Sequence, residues 1–323
     1  MKAVQVVARG KAQFVDMPKP DVAPGRILIR TAYLSLCGSD VYTLHYAADS
    51  MYPYPPGTTG HEVVGYVEAV GEDVTGFKVG DRVLSLAPGH LAMCEWYLAH
   101  AELVVPLPEG TPMEVLLQAQ QLSTVIYGTR QLPNIVGKSV AVIGQGSAGL
   151  WFNYHLKRMG ARNVVALDIE PYRLNLSKLY GATHAINNAG IDPVAALEEH
   201  NDGELADVVV EAAGEVDSVN LAISLVKKFG HILYFGVPRF ETCDFKFSDL
   251  FFKCCHASTT VGVANEPNLT SLKTAVDLIA DGEANAADLI THRVKFSETI
   301  DAYEMHRARA DNAVKIVIEM PGA

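Results

Sequence analysis

The hydrophobic positions of the chain follow two different rhythms. From residue 1 to about 115, short apolar runs are separated by Gly and Pro turns, which is typical of a β-rich fold. The strands predicted there are 27–32, 63–70, 82–86 and 103–106. Because β-branched residues alternate with turn glycines, as in 64–71, this half is expected to form a curled sheet or small barrel.

The rhythm changes near residue 115. Residues 116–131 carry apolar side chains at helical spacing, with Gly128 as the only Gly or Pro, so a helix is predicted between two domains. Beyond it, six apolar runs alternate with helical stretches, which predicts a doubly wound parallel α/β sheet. The runs are 140–143, 164–167, 184–186, 208–210, 232–235 and 260–263. A helix to about residue 280 and a strand over 313–318 complete the chain, and we expect this tail to rejoin the first domain.

Composition and charge limit the classes of function and partner that are expected. The 323 residues, 49% of them hydrophobic and 20% charged, predict a folded globular protein of two domains. With 26 basic and 37 acidic residues the net charge is -11, which repels nucleic-acid phosphates and anionic membranes, so neither is expected as a partner. No apolar stretch reaches the roughly 18 to 20 residues of a membrane span, and the first residues lack a signal-peptide core, so a cytoplasmic protein is expected. The five cysteines are odd in number and contain no C-x-x-C pair, so neither a disulfide framework nor a four-thiolate zinc site is expected.

A glycine motif predicts a nucleotide site. Residues 144–149 read G-Q-G-S-A-G directly after a predicted strand and open a predicted helix, whose free N–H groups and dipole suit a pyrophosphate. Gly144 would permit the turn, Gly146 the close approach of the phosphates, and Gly149 the packing of helix on strand. Ser147 and Ala148 would present the first amides of the helix.

An acid on the next strand favours NAD as the cofactor. Asp168 lies close to the roughly 20 residues past the motif that are typical of a ribose-binding carboxylate. Its charge would repel the 2′-phosphate of NADP, although Arg173 nearby could soften that preference.

A second set of residues suits a metal. Residues 37–40 read C-G-S-D and residues 60–62 read G-H-E. Thiolate, imidazole and carboxylate together are ligands for Zn²⁺. Taken alone, however, Cys37 could equally be a small buried hydrophobic residue and His61 an ordinary core histidine.

With these two motifs ahead of the glycine motif, the sequence resembles the zinc-dependent medium-chain dehydrogenase/reductase superfamily. The likeness covers nearly the whole chain, including G-D-R-V at 80–83, L-P-E-G at 107–110 and E-A-A-G at 211–214. It implies a GroES-like β-rich catalytic domain over 1–120 and 268–323, and a Rossmann NAD-binding domain over 121–267. It also implies cofactor contacts from Ala213, Gly236 and Val237.

The resemblance assigns roles to the metal motifs. Cys37 and His61 would bind one catalytic zinc, and Ser39 would take the substrate proton. Asp40 would orient His61 from behind, as carboxylates do at many zinc sites. Glu62 would bind zinc directly, as in the polyol-dehydrogenase branch, or lie just behind the metal.

The sequence departs from the family pattern at two places. Classical members carry four closely spaced cysteines after G-D-R-V, but here only Cys94 falls within 84–100, so a structural zinc is not expected and Cys94 should be buried. On the helix after residue 115, many relatives place a Cys or Glu near the zinc, whereas alignment puts Gln120 there, with Gln118 and Gln121 close by. An amide oxygen could hold the zinc-bound water, and the change favours Glu62 as the third ligand.

The implied activity is oxidation of a secondary alcohol to a ketone. Zinc would lower the pKa of the hydroxyl, Ser39 would pass its proton on, and hydride would move to nicotinamide in the cleft between the domains. His45 is a candidate for the end of the proton relay, with a merely exposed loop histidine as the alternative. Aromatic and amide side chains near the motifs favour a polyol, cyclitol or sugar-like substrate, and relatives suggest a homodimer or homotetramer.

The sequence also bears on three alternative functions. A short-chain dehydrogenase needs Tyr-x-x-x-Lys, and none of the 13 tyrosines has Lys four residues on. A zinc-free enone or quinone reductase of the same superfamily stays open, as does a non-catalytic nucleotide-binding protein. Zinc content and NAD reduction would separate the three.

Overall fold

The protein folds into two compact units. The structure, a computed structural model, describes residues 1–323. Unit 1 consists of Met1–Ser123 and Val263–Ala323, and unit 2 consists of Thr124–Gly262. None of the helices combines the length and the apolar character needed to cross a bilayer.

Strands and helices both occur throughout the chain. The strands are β1 (Lys2–Ala8), β2 (Lys11–Asp16), β3 (Arg26–Ser35), β4 (Glu62–Val70), β5 (Arg82–Leu86), β6 (Trp96–His100), β7 (Val104–Pro106), β8 (Ser139–Ile143), β9 (Asn163–Asp168), β10 (His184–Asn187), β11 (Ala206–Glu211), β12 (Val226–Tyr234), β13 (His256–Thr259), β14 (Ile290–Lys295) and β15 (Lys315–Glu319). The α-helices are α1 (Gly38–His45), α2 (Met113–Leu116), α3 (Ala119–Thr129), α4 (Ser147–Arg158), α5 (Pro171–Leu179), α6 (Pro193–His200), α7 (Val216–Leu225), α8 (Phe247–Phe252), α9 (Thr270–Ala280) and α10 (Thr299–Ala308).

Unit 1 is built on a mainly antiparallel sheet in the order β14-β15-β3-β4-β5-β7, with β6 also paired to β3 and a separate β1–β2 hairpin. Only β14 and β15 run parallel. The long strand β3 is buried along most of its length, and Ile27 and Ile29 pack with Val67 and Val83 from β4 and β5. Backbones approach closely here, since a Cβ on Gly65 would lie 2.8 Å from Cγ2 of Ile29. The turn-rich pattern of this region therefore reflects a tightly curled sheet.

Unit 2 contains the doubly wound sheet. Its six strands are all parallel in the order β10-β9-β8-β11-β12-β13, which is the 3-2-1-4-5-6 order of dinucleotide-binding folds. The central strand β8 is buried at every residue. Such strands are covered on both faces, so their sequences read as continuous apolar runs. The predicted α/β fold class is confirmed.

The sixth strand lies elsewhere than predicted. It is β13, His256–Thr259, and not 260–263. Val261 is 93% exposed and Gly262 has φ +68°, so the apolar run leaves the sheet. As an edge strand β13 pairs with β12 alone and has no need of an apolar sequence. The helix predicted over 116–131 is likewise shorter and is preceded by the single turn of α2.

Candidate functional site

The C-G-S-D motif forms the first turn of α1. Cys37 is the N-cap of this helix and has extended φ/ψ of -127° and 163°. Its N–H donates to Oδ2 of Asp40 at 2.8 Å, which is how an acidic residue at the third helical position stabilises a helix start. Local sequence alone therefore places the thiol at the end of the loop after β3, and the carboxylate beside it.

The metal motifs meet in unit 1. The ligand atoms of Cys37, His61 and Glu62 all lie within 4.8 Å of one another. Zinc binds sulfur at about 2.3 Å and nitrogen or oxygen at about 2.0 to 2.2 Å, so one ion can reach all three with small side-chain movements. The residues present fit a zinc ion in the chemistry of their donors and in their spacing.

The surroundings favour a cation at His61. Burial lowers the pKa of this imidazole, but interactions with Asp40 and Cys37 outweigh it and raise the pKa well above its usual value. Burial likewise opposes ionisation of Asp40, yet its interactions with His61 and His90 hold the pKa of that carboxyl well below its usual range. A site that attracts a proton so strongly in the chain without metal also attracts a divalent ion, which displaces that proton.

Glu62 is held from behind by a buried lysine. Nζ of Lys315, at the start of β15, lies 2.6 Å from Oε2 and 2.8 Å from Oε1 of Glu62, and both side chains are fully buried. The hydroxyl of Ser35 also donates to Oε2. Direct ligation of zinc by Glu62 must therefore compete with Lys315. Sequence reasoning missed this residue, although a lone lysine inside the apolar run 313–318 was a visible signal.

A second glutamine of α3 lies beside the thiol. Nε2 of Gln121 lies 3.7 Å from Sγ of Cys37, and Oε1 of Gln121 is buried without a hydrogen-bond partner. Gln120 is also buried, but successive helix residues point about 100° apart, and the contact with Cys37 is made by Gln121. The assignment of Gln120 to the metal stays a prediction, and Gln121 is the second candidate on this helix. Since the two ends of an amide are interchangeable by a flip, Oε1 can face the metal position.

The two candidate proton-transfer residues differ in their surroundings. Oγ of Ser39 is buried and has no hydrogen-bond partner, as expected for a hydroxyl that awaits a substrate. His45, at the other end of α1, has Nε2 3.3 Å from Oε1 of Glu304 on α10. Burial lowers the pKa of His45 and outweighs the opposing effect of Glu304. This packing against α10 gives no support to a relay role for His45, which stays a prediction.

A third histidine, absent from the sequence prediction, faces Asp40. Nδ1 of His90 lies 3.9 Å from Oδ1 of Asp40, and the His90 ring lies 4.3 Å from that of His61, centroid to centroid. The ligand atoms of Asp40, His61 and His90 form a second group within 4.8 Å. No sequence motif contains His90.

The glycine motif of unit 2 forms a tight β-turn-α connection. Gly144, with φ +89°, follows β8, and Gly146 is the N-cap of the 12-residue helix α4. A Cβ on Gly149 would overlap the carbonyl group of Gly144, so only glycine allows this packing. The amides of Ser147 and Ala148 stand in the first turn, whose N–H groups have no partner within the helix. This open cradle fits the pyrophosphate of a dinucleotide.

Asp168 ends β9 beside this turn and stabilises it. Oδ2 accepts the N–H of Gln145 at 2.5 Å and Oδ1 accepts the N–H of Glu170 at 2.9 Å. Each oxygen has a further lone pair for a ribose hydroxyl. Arg173 lies close by, because a Cβ on Gly146 would stand 3.8 Å from its Nη1.

The remaining predicted cofactor residues gather at the same edge of the sheet. A Cβ on Gly144 would lie 2.9 Å from Cβ of Ala213, so Ala213 packs directly on the glycine turn. Gly236 and Val237 pass tightly against Gly214, since a Cβ on Gly214 would lie 2.9 Å from the carbonyl carbon of Val237. The side chain of Val237 is half-exposed.

Known proteins resemble this chain over almost its full length. A family model described as "Alcohol dehydrogenase GroES-like domain" matches residues 23–116, and one described as "Zinc-binding dehydrogenase" matches residues 149–281. The chain is 30% identical to "Probable D-xylulose reductase A" of Aspergillus clavatus, over 95% of this chain and 93% of that protein. It is 28% identical to "Sorbitol dehydrogenase" of Halalkalibacterium halodurans, over 98% and 99%. Alcohol dehydrogenase TADH from Thermus sp. ATN1 shares the fold, with a TM-score of 0.84 and 24% identity over 99% of this chain and 100% of that chain.

Proposed function

Because the chain belongs to the zinc-dependent medium-chain dehydrogenase/reductase superfamily and is an alcohol dehydrogenase of that superfamily, we propose that it oxidises a secondary alcohol to a ketone with one zinc ion and NAD. The observation that carries the proposal is the convergence of Cys37, His61 and Glu62 within 4.8 Å in unit 1. The substrate class proposed is a polyol, cyclitol or sugar-like alcohol. It is supported by the names of the relatives, which are a xylulose reductase and a sorbitol dehydrogenase.

The residues of unit 1 hold the metal and move the proton. Cys37 and His61 are the proposed ligands, with Glu62 as the third. A zinc ion bound here supplies Lewis acidity, which lowers the pKa of an alcohol hydroxyl. Ser39, whose hydroxyl is buried without a partner, accepts the hydroxyl proton of the substrate at its Oγ as it passes its own proton toward solvent. Asp40 holds His61 in place from the side away from Glu62.

The oxygen of Gln121 completes the polar lining of this site. In place of the Cys or Glu of other members it offers a neutral acceptor, which suits a substrate hydroxyl or a water molecule. With Cys37 as thiolate and Glu62 shared with Lys315, the protein groups do not fully neutralise a divalent ion. The remaining positive field favours the alkoxide form of the substrate.

The residues of unit 2 hold the cofactor. Gly144, Gly146 and Gly149 leave room for the pyrophosphate at the start of α4, and Asp168 accepts hydrogen bonds from the ribose. A nicotinamide cofactor held by these residues would supply the hydride acceptor. The carboxylate of Asp168 disfavours a 2′-phosphate, so NAD is the proposed cofactor over NADP.

The edge of the unit 2 sheet is the proposed face for assembly into a homodimer or homotetramer. β13 pairs with β12 on one side only, and its other edge can continue the sheet. Three phenylalanines of the neighbouring helix α8 are exposed at 63%, 63% and 74%, namely Phe247, Phe251 and Phe252. Contact between two copies would remove these rings from water.

Zinc analysis and NAD reduction test the proposal together. We expect one zinc per chain and NAD reduction, followed at 340 nm, with sorbitol, xylitol or inositol in preference to benzyl alcohol or ethanol. Chelation should abolish activity, and zinc should restore it. Cys37→Ser should lose zinc and activity, whereas Cys243→Ser, a change at another partly buried cysteine, should lose neither.

Two results would contradict the proposal. Activity that persists after complete zinc removal would indicate a zinc-free reductase. Zinc and NAD binding without hydride transfer from any alcohol, or to any ketone with NADH, would indicate a non-catalytic protein.

A further inference from the structure

We propose that His90 is a positioning residue for the metal centre. It shares the carboxylate of Asp40 with His61 and thereby fixes how the His61 ring faces the metal. The inference rests on the proposed function, since it concerns the same zinc. It adds a residue that lies outside both metal motifs.

The first observation that supports the proposal is the set of contacts around Asp40. This side chain is 1% exposed, and its Oδ1 lies 3.7 Å from Nδ1 of His61 and 3.9 Å from Nδ1 of His90. Both nitrogens are buried without a hydrogen-bond partner. A movement of about 1 Å brings each within hydrogen-bond distance of Oδ1. Two buried polar atoms aimed at one carboxylate oxygen indicate that the three groups act together.

The two oxygens of Asp40 are held unequally. Oδ2 accepts the N–H of Cys37 at 2.8 Å and is fixed by the start of α1. Oδ1 accepts only the long 3.5 Å contact from the N–H of Gly60, besides the two imidazoles. Support for Oδ1 therefore depends on His90 as well as on His61, the residue that it has to orient.

The orientation of the His61 ring determines which of its nitrogens is offered to the metal. Its Nδ1 faces Asp40, while its Nε2 lies 3.7 Å from Oε1 of Glu62, on the side of the other ligands. His61 offers Nε2 to a metal when Nδ1 carries the proton, and a carboxylate accepting that N–H selects this tautomer. The His90 ring, tilted by 36° against the His61 ring at 4.3 Å, also limits ring rotation.

The backbone of His90 is a second, independent observation. Its φ is +51°, in the left-handed region that favours glycine and in which side-chain-bearing residues are strained. The chain nevertheless keeps an imidazole at this turn. Strain of this kind persists where the surrounding structure holds the residue in that conformation.

Two substitutions that tolerate this backbone test the proposal. His90→Gly removes the imidazole and relieves the strain, so the fold should be kept. His90→Asn places an amide nitrogen close to the position of Nδ1, which can still donate to Asp40. His292→Ala, which removes a partly buried imidazole from the same unit, is the control for unspecific metal binding.

The measurements are the zinc dissociation constant, from competition with a chelator, and the visible spectrum of the Co²⁺-loaded chain. His90→Gly should weaken zinc binding about 10-fold and shift the Co²⁺ bands, because outer partners of ligating histidines have effects of this size. His90→Asn should recover most of the affinity and the wild-type spectrum. Every variant should bind one metal ion, as the wild type should.

Three results would overturn the inference. A zinc dissociation constant of His90→Gly within about 2-fold of wild type, with an unchanged spectrum, would overturn it alone and leave the proposed function intact. A wild-type chain that binds two ions, and loses one of them in His90→Gly, would make His90 a ligand of a second metal. A wild-type chain that binds no zinc would overturn the proposed function, and this inference with it.

Discussion

The buried ion pair between Lys315 and Glu62 predicts a large effect of one substitution. Both side chains are fully buried, and Lys315 uses Nζ to hold both carboxylate oxygens. Burial alone would lower the pKa of Lys315, but the charge of Glu62 outweighs it and raises the pKa, so the lysine stays charged in the folded protein. Lys315→Met keeps the length of the side chain and removes its charge.

The size of the expected loss in stability follows from the unpaired charge that Lys315→Met leaves behind. The carboxylate of Glu62 stays at a site of zero exposure, with the hydroxyl of Ser35 as a remaining donor. Removal of one partner from a buried pair destabilises a protein by about 3 to 5 kcal/mol, because it leaves an uncompensated charge. The chain neighbours of the pair, Val63 and Ile316, are fully buried apolar residues and offer no replacement. The double variant Lys315→Met/Glu62→Gln leaves no net charge behind, so it should be more stable than the single variant.

Urea unfolding of the metal-free protein measures both variants. Lys315→Met should lower the free energy of unfolding by about 3 to 5 kcal/mol. The matched control is Lys227→Met, because the pair of Lys227 with Asp207 is partly exposed and should contribute only about 0 to 1 kcal/mol. Zinc should stabilise Lys315→Met more than wild type, since Glu62 no longer has to leave the lysine to bind the metal.

Two outcomes would refute this reasoning. The first is a Lys315→Met protein within about 1 kcal/mol of wild type, which would mean that the carboxylate is not isolated from water. The second is a double variant as unstable as the single one, which would assign the loss to packing and not to charge. If zinc binds Lys315→Met no more tightly than wild type, Glu62 is not the third ligand.

Three further changes test other parts of the structure. Burial lowers the pKa of His155 from 6.5 to about 4, so between these pH values the unfolded chain binds a proton that the folded chain does not. The free energy of unfolding should therefore fall from pH 7 to pH 4 by up to about 3 kcal/mol. An equal fall with pH in His155→Gln, measured by urea unfolding, would contradict this. Gly149→Ala should abolish NAD binding in calorimetry, since its Cβ would overlap Gly144, and unchanged affinity would show that the turn can open. Asp168→Asn should weaken NAD binding about 10-fold, because the ribose and the N–H of Gln145 both lose a charged acceptor. It should also favour NADP relative to NAD, because the charge that repels a 2′-phosphate is removed. Equal losses for NAD and NADP in fluorescence titrations would refute a role in cofactor choice.

Local sequence accounts for much of the fold and for half of the site. Parallel strands covered on both faces must be apolar at every position, so β8 could be recognised from the run 140–143 and the glycine turn after it. The C-G-S-D motif works within one helical turn, where Asp40 accepts from the N–H of Cys37 three residues before it. Such features depend on residues that are close in sequence, so the short-range sequence pattern predicts them.

Only the tertiary structure decided the rest of the site. Lys315 meets Glu62 across 253 residues of sequence, and Gln121 meets Cys37 across 84. Which glutamine of α3 faces the thiol depends on the rotation of a helix, and a turn of one residue changes the answer by about 100°. The sixth strand escaped prediction for a related reason, since an edge strand needs hydrogen bonds from one neighbour and no apolar faces. These contacts depend on distances between segments far apart in the chain, and local periodicity carries no information about such distances.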